Sequence, residues 1–343
     1  MKHFYRIVLL LLPYVAGAQS STQLIGKEEN SYIFGQISTG FYAGFNDNFK
    51  PQAAFIFKQG IIGYKHGFKH GLSGLIMLDV TRTTHFTSLS DTAGNIIPLD
   101  YFEGSKYTAY LKMAEIKWNI NHHFTLRFGQ LLNTQYLTFI DKFWGFRYVD
   151  VTFQEKYRFG MPADFGIQAD YKLKDKLLLQ LSVVNGEGPF RYQDKLSRFL
   201  YAANIQYRPV KDFTLKLYAG VESAPDTGMY VTIKKIGSLF AGYKTEKFGV
   251  GAEANYVKDY NYVEGTDKYG YSVYGFVTLF PKFVVLGRYD YLFQQFENNN
   301  LVNNYYIVGA QYEPVKFLLT SLNFRYYSKN DFPMIYLNVG FKF

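Results

Sequence analysis

The sequence predicts an all-β protein: a transmembrane antiparallel β-barrel of about 16 strands, with short periplasmic turns and long extracellular loops. Three observations lead there. Apolar side chains alternate with small or polar ones at a period of two, the alternation recurs every 34 to 36 residues, and short connections alternate with long ones.

The composition is compatible with this class and excludes several others. With 32 Tyr and 33 Phe in 343 residues and only 19% charged residues, the chain is too apolar to stay disordered. The absence of Cys removes a disulfide framework, thiolate metal sites, iron–sulfur clusters and a thiol nucleophile. A net charge of +9 fits nucleic acid, anionic lipid or no specific partner equally well, so the N-terminus has to decide. Lys2, His3 and Arg6 precede the apolar run Ile7 to Leu12, and Ala16-Gly17-Ala18 supplies a small-x-small cleavage site. Residues 1–18 are therefore expected to be a cleaved signal peptide, 19–30 a short N-terminal segment and 31–343 the barrel. Without Lys2 and Arg6, 35 basic groups face 28 acidic ones, or +7. An exported chain has little reason to meet nucleic acid. The leading apolar run falls short of the roughly 20 residues a spanning helix needs, and no later stretch reaches that length.

The strands follow in order. Upstream, strands are expected near Tyr32 to Phe41, Ala53 to Tyr64, Leu72 to Arg82, Tyr107 to Ile120 and Phe124 to Gln130. Farther on, Ile167, Ala169, Tyr171 and Leu173 share one face, as do Leu177, Leu179, Leu181 and Val183. The same holds for Phe199, Tyr201, Ala203, Ile205 and Tyr207, for Phe213, Leu215, Leu217, Ala219 and Val221, and for Phe248, Val250, Ala252, Ala254 and Tyr256. Helices cannot present such alternation on one face. The turns Lys174 to Lys176, Arg208 to Asp212, Thr245 to Lys247, Pro281 to Lys282 and Glu313 to Lys316 precede Leu177, Phe213, Phe248, Phe283 and Phe317, at intervals of 36, 35, 35 and 34. One interval holds two strands, one turn and one loop. Between the turns lie long polar connections, Thr84 to Lys106, Leu131 to Ala163, Gly186 to Ser197, Ser223 to Lys235, Lys258 to Lys268 and Gln294 to Asn304.

In hydrocarbon, strands survive only in a closed sheet without edges, and the outward face must be apolar, because a midplane Arg or Lys costs roughly 2 to 4 kcal/mol. The apolar faces from Ile167 onward carry no charge. The opposite faces hold Arg127, Lys172, Lys216, Arg288, Arg325 and Lys342 against Asp170, Glu222, Glu253 and Asp290. That mixed, mildly basic lining implies a wet lumen. Phe124, Tyr207, Phe213, Tyr243, Phe248, Phe280 and Tyr312 flank the short turns, where an aromatic girdle meets head groups. Two positions break the phase: Lys112 shares a face with Ala114, Ile116 and Trp118, which a bulge or an interfacial position would explain, and Phe317 falls on the inward face of its strand.

The last strand, Ile335, Leu337, Val339, Phe341 and Phe343, resembles the assembly signal of bacterial outer-membrane barrels, which implies recognition by the barrel assembly machinery through the strand ending in Phe343. Leu126-Arg127-Phe128-Gly129-Gln130, the segment containing Trp144 and Arg147, Ala163-Asp164-Phe165-Gly166 and Val184-Asn185-Gly186-Glu187-Gly188 resemble the phosphate-selective porin O and P family. The resemblance implies a 16-stranded bacterial outer-membrane channel for small, often anionic, solutes. A homotrimer is compatible with it, since an apolar contact strip looks like a lipid-facing one.

No cofactor, metal or covalent chemistry is expected. Gly249-x-Gly251-x-x-Ala254 lies inside a strand, with no following helix to meet a phosphate. His66 and His70, and the adjacent His122 and His123, read as solvated turn residues. There is no Gly-x-Ser-x-Gly elbow, and His85, Ser88 and Asp91 are ordinary members of a polar loop. The expected function is passive diffusion of small hydrophilic solutes through a water-filled channel, with a mild preference for phosphate-like anions. The alternative is a plugged surface protein that binds an external ligand through its loops. Loop 131–163 is long enough to be functional, and its aromatics argue for order. It is expected to fold into the lumen, with Lys142, Arg147, Lys156 and Arg158 facing Asp141, Asp150 and Glu155. These seven, with Arg127, Lys216, Glu253, Arg288, Asp290 and Arg325, are the candidate pore-lining or constriction residues.

Overall fold

The computed structural model describes residues 30–46, 51–84, 88–90, 96–98, 105–193, 198–223, 232–295 and 300–343. The expected signal peptide, His85 and Asp91 lie outside the described residues. The strands are β1 (Tyr32–Gly44), β2 (Ala53–Gly67), β3 (Leu72–Thr84), β4 (Ser88–Ser90), β5 (Ile96–Pro98), β6 (Ser105–Asn119), β7 (Phe124–Leu132), β8 (Ala163–Leu173) and β9 (Leu177–Val184). They continue as β10 (Leu200–Tyr207), β11 (Phe213–Glu222), β12 (Lys234–Lys244), β13 (Phe248–Lys258), β14 (Lys268–Phe280), β15 (Phe283–Gln295), β16 (Asn300–Val315), β17 (Leu318–Tyr327) and β18 (Phe332–Lys342). Sixteen of them close into one antiparallel barrel in sequence order, β18 pairing with β1, while β4 and β5 form a separate hairpin within the β3–β6 connection. Closure leaves no open edge, as a sheet in lipid requires.

Alternation sets the two faces. Along β13, Val250 and Tyr256 are exposed while Glu253, Asn255 and Val257 are buried. The exposed set is the apolar one, the reverse of a soluble sheet. Aromatic girdles bound the apolar band. At the turn end, Phe280 stacks on Phe283 at 4.7 Å and Tyr243 meets Phe248 at 5.7 Å. At the loop end, Tyr271, Tyr289, Tyr306 and Tyr326 run across four strands with ring separations of 5.9, 5.0 and 6.2 Å. Tyr271 and Phe280 are nine residues apart, about 30 Å of strand and about 23 Å of height at a tilt of about 40°. That matches an apolar band about 25 Å tall.

The phase breaks have physical causes. The β3–β6 register steps from Met77↔Met113 to Leu78↔Leu111, leaving Lys112 as the extra residue of a bulge. The bulge turns Lys112 inward, where its ammonium bonds Asp79, while Ile116 and Trp118 stay outside. Lys58 does the same in β2, where the register steps from Ser38↔Gln59 to Thr39↔Phe57. Phe317 belongs to neither face: it is the turn residue between β16 and β17, with φ of 75°. The connection expected over Gln294 to Asn304 is shorter, since β15 and β16 pair out to Gln295↔Asn300. Asparagine-rich sequence reads as loop, yet the ladder continues beyond the lipid, where polar side chains are no obstacle.

Candidate functional site

The segment between β7 and β8 turns into the barrel. Asn133 N–H bonds Pro162 O at 3.0 Å, closing the neck, and Asn133 Oδ1 accepts Gln135 N–H at 2.5 Å. A short helix α1 (Ile140–Trp144) ends at Gly145, whose φ of 75° forms a left-handed cap. Helix α2 (Phe153–Lys156) follows. The apolar residues of the segment cannot be left in water, and the inward face of β10–β18 supplies partners. Tyr136, Ile140, Phe143, Trp144, Phe146 and Val149 pack on Phe240, Tyr274, Leu286, Tyr305 and Ile307. Phe153 and Phe159 pack on Leu200, Tyr218, Ile236, Val257 and Leu292. Burying each large side chain contributes about 1.5 to 3 kcal/mol, so two such clusters hold the segment firmly.

Small residues in the wall make room. Gly242 and Gly251 lie directly opposite each other, and a Cβ on either would come within 2.5 and 2.9 Å of the Phe143 ring. Gly242→Val is therefore expected to expel Phe143 and loosen α1 at about 1 to 3 kcal/mol. Faster proteolysis within 133–162, with the folded barrel's mobility in a gel unchanged, is the readout; unchanged proteolysis refutes it.

Wall cations hold the segment by its backbone. Lys58 Nζ donates to Tyr148 O at 3.0 Å and Val149 O at 2.5 Å. Lys216 donates to Gln135 O at 2.8 Å, Lys244 to Phe143 O at 2.8 Å, Arg288 to Val151 O at 2.5 Å and Arg325 to Val149 O at 2.6 Å. Lys268 donates to Tyr157 O. An irregular segment exposes carbonyls that must find donors once buried, and these side chains supply them.

Its own charges form two groups. Arg147 pairs bidentately with Glu155 at 2.5 and 2.6 Å, with Asp141 at 2.9 Å, and donates to Gln59 Oε1 on β2 at 3.1 Å. Asp150 accepts Lys156 Nζ at 2.7 Å and Tyr305 OH at 2.8 Å, with Arg325 Nη1 at 3.8 Å. Burial pushes the carboxyl of Asp150 up, but Lys156, Arg325 and Arg288 outweigh it and hold it well below the usual range. Glu155 is held down in the same way, burial being outweighed chiefly by Arg147.

Of the sequence-derived candidates, Arg147, Asp141, Asp150, Glu155 and Lys156 converge in these two groups, while Lys142 and Arg158 are exposed and stand outside them. Lys216, Glu253, Arg288, Asp290 and Arg325 face inward but are buried. The lumenal segment covers them: Glu253 accepts Gln154 Nε2 at 2.6 Å, and Arg288 bonds Asp290 as well as Val151 O. Arg127, on β7, lies between Glu115 and Asp170 at 2.8 Å each and is itself partly exposed. Lys58, Gln59, Asp79, Tyr110 and Lys112 were not among the candidates. The one signal for Lys58 and Lys112 was a lysine out of phase with its strand.

A closed, tilted antiparallel barrel with an apolar belt, two aromatic girdles and a polar lumen carrying a folded-in loop is the architecture of outer-membrane porins, a multi-pass fold of the bacterial outer membrane. Solved structures agree. Pseudomonas putida OprB superposes with a TM-score of 0.69 at 9% identity, covering 91% of this chain and 94% of that one. Salmonella typhi OmpF, in a complex with daunomycin, gives 0.67 at 11% identity, with 93% and 99% covered. The outer membrane channel DcaP of Acinetobacter baumannii gives 0.58 at 13% identity, with 96% and 100% covered. At such identities the likeness is one of fold. No protein-family model matches the chain, and no curated protein sequence matches it.

Proposed function

We propose that the protein is a porin that lets small hydrophilic solutes diffuse through the gap between the lumenal segment and the wall of β3, β6, β7, β8 and β9. No covalent step is involved. The observation that carries this reading is the charged edge of the segment: Arg147, Asp141 and Glu155 are not members of the packed clusters, stay partly exposed and, among the described residues, hydrogen-bond to β2 only through Gln59. Opposed charges at a narrowing orient and sort permeating ions. Across the gap Arg127 is more exposed than the Glu115 and Asp170 it bridges, so the wall presents its cation foremost. That supports the mild anion preference implied by the resemblance to the porins O and P.

One observation favours a second reading. The inward faces of β10–β18 are dry, with Ser272, Asp290 and Asn338 fully covered, as a plugged barrel that binds ligands through its outer loops would have them. Planar-bilayer recordings separate the two. Steady ohmic current, and liposome swelling that slows as sugars grow larger, are expected; a correctly folded barrel passing no steady current would establish the plug and overturn the channel. Swelling in phosphate against uncharged solutes of similar size reads the anion preference.

A further inference from the structure

The described stretch after β9, residues 185–193, also turns inward. Gly186 donates its N–H to Asp164 Oδ2 at 2.6 Å. Gly186 and Gly188 have φ of 89° and 81°, a region where a Cβ is penalised. A Cβ on Gly188 would sit 2.9 Å from Met161 Cγ, at the end of the lumenal segment. The turn Asn185-Gly186-Glu187-Gly188 is thus fixed by a carboxylate on β8 and leans on that segment.

Its effect is felt at Phe190, whose ring lies 4.5 Å from that of Tyr110. Tyr110 is on β6, with β7 and β8 between it and β9, about 14 Å of sheet. Tyr110 faces the lumen: its hydroxyl donates to Asp79 Oδ2 at 3.1 Å, and the same oxygen accepts Gln59 Nε2 at 2.6 Å. Gln59 in turn accepts Arg147. Tyr110 is thereby linked, through Asp79 and Gln59, to the Arg147 that pairs with Asp141 and Glu155. Phe190 is 56% exposed even so. On the lipid side an exposed Phe needs no account, but inside the barrel no acyl chain covers it.

We propose that Phe190 and Tyr110 form a platform that binds a pyranose sugar in the lumen. The C–H face of a pyranose is apolar and faintly positive, complementary to the negative face of an aromatic ring. Its hydroxyls both donate and accept, and Arg147 beside Asp141 and Glu155 offers donors next to acceptors. A small inorganic anion would use the guanidinium and ignore the rings. The proposal rests on the reading of this gap as a solute path and names the class of solute held there.

The test uses the full barrel with maltose, acyclic sorbitol and benzoate as probes. In bilayers, maltose is expected to interrupt the ion current in a concentration-dependent way and sorbitol is not. Phe190→Ala raises the half-blocking maltose concentration about tenfold, and Phe190→Trp preserves blocking, each read against that variant's own current without sugar. Equal blocking in wild type and Phe190→Ala, sorbitol acting like maltose, or benzoate blocking more strongly than maltose would each overturn the platform. Calorimetric titration of maltose into the detergent-solubilised barrel reads the site without current. Phe190-dependent binding to a non-conducting barrel keeps the platform and removes the channel; a conducting barrel that ignores maltose does the reverse.

Discussion

Asp150→Asn is expected to release the lumenal segment while leaving the barrel closed. The carboxylate accepts Lys156 and Tyr305 at 2.7 and 2.8 Å and lies 3.8 Å from Arg325, and Lys58 and Arg325 both donate to the neighbouring Val149 carbonyl. Asparagine keeps the volume and removes the one carboxylate that, among the described residues, lies within salt-bridge reach of Lys156 and Arg325. Breaking a buried ion pair from one side costs about 3 to 5 kcal/mol, because the remaining charges stay desolvated and uncompensated. The sixteen strand ladders do not pass through Asp150, so the loss falls on the segment. Higher single-channel conductance, and trypsin cleavage within 133–162 of a barrel that still migrates as folded, are the expected results. Wild-type conductance together with wild-type protease resistance would show that the apolar clusters alone hold the segment. Mild acid does not mimic the substitution. The folded carboxyl titrates below its ordinary value, so its contribution is complete above the unfolded value, about 3.9, and fades only as pH falls through the lower folded one. Conductance at pH 5 should match that at pH 7.

The barrel was legible because lipid imposes its pattern on every outward residue: the alternation around Leu215, Leu217 and Val250 has no other reason to be free of charge. The lumen imposes no such pattern. An inward Lys216, Arg288 or Arg325 looks the same in sequence whether it meets water or a backbone carbonyl, and only the packing of 133–162 over them decides. The path of that segment depends on contacts such as Phe143 against Gly242, between residues about a hundred positions apart, which no local periodicity records. Lys112 left a trace as a cation out of phase, legible as a bulge but not as a partner for Asp79, while the tether made by Lys58 was not read from the sequence at all. The Asn185-Gly186-Glu187-Gly188 motif carried a family resemblance; in the structure it is a left-handed turn held by Asp164, which delivers Phe190 to the lumen.

Arg147→Glu is expected to turn the ion preference toward cations. Arg147 is the one cation within salt-bridge reach of both Asp141 and Glu155 among the described residues, and its reversal changes the local charge by two units, leaving three carboxylates at the edge of the gap. At an effective dielectric constant of about 20, one unit charge about 8 Å from a permeating ion is worth about 2 kcal/mol. Salt in the lumen screens part of this, and the remainder is ample for a tenfold change in the cation-to-anion permeability ratio, about 1.4 kcal/mol. The reversal potential across a salt gradient measures it. The carboxylates also repel one another once the guanidinium is gone, so α1 and α2 are pushed apart and the shift in selectivity should come with a rise in conductance. Arg158→Glu serves as the contrast: Arg158 is exposed and outside both charge groups, and its reversal should move the potential far less. Equal shifts from the two substitutions, or none from Arg147→Glu, would mean that ions do not pass along this edge of the segment.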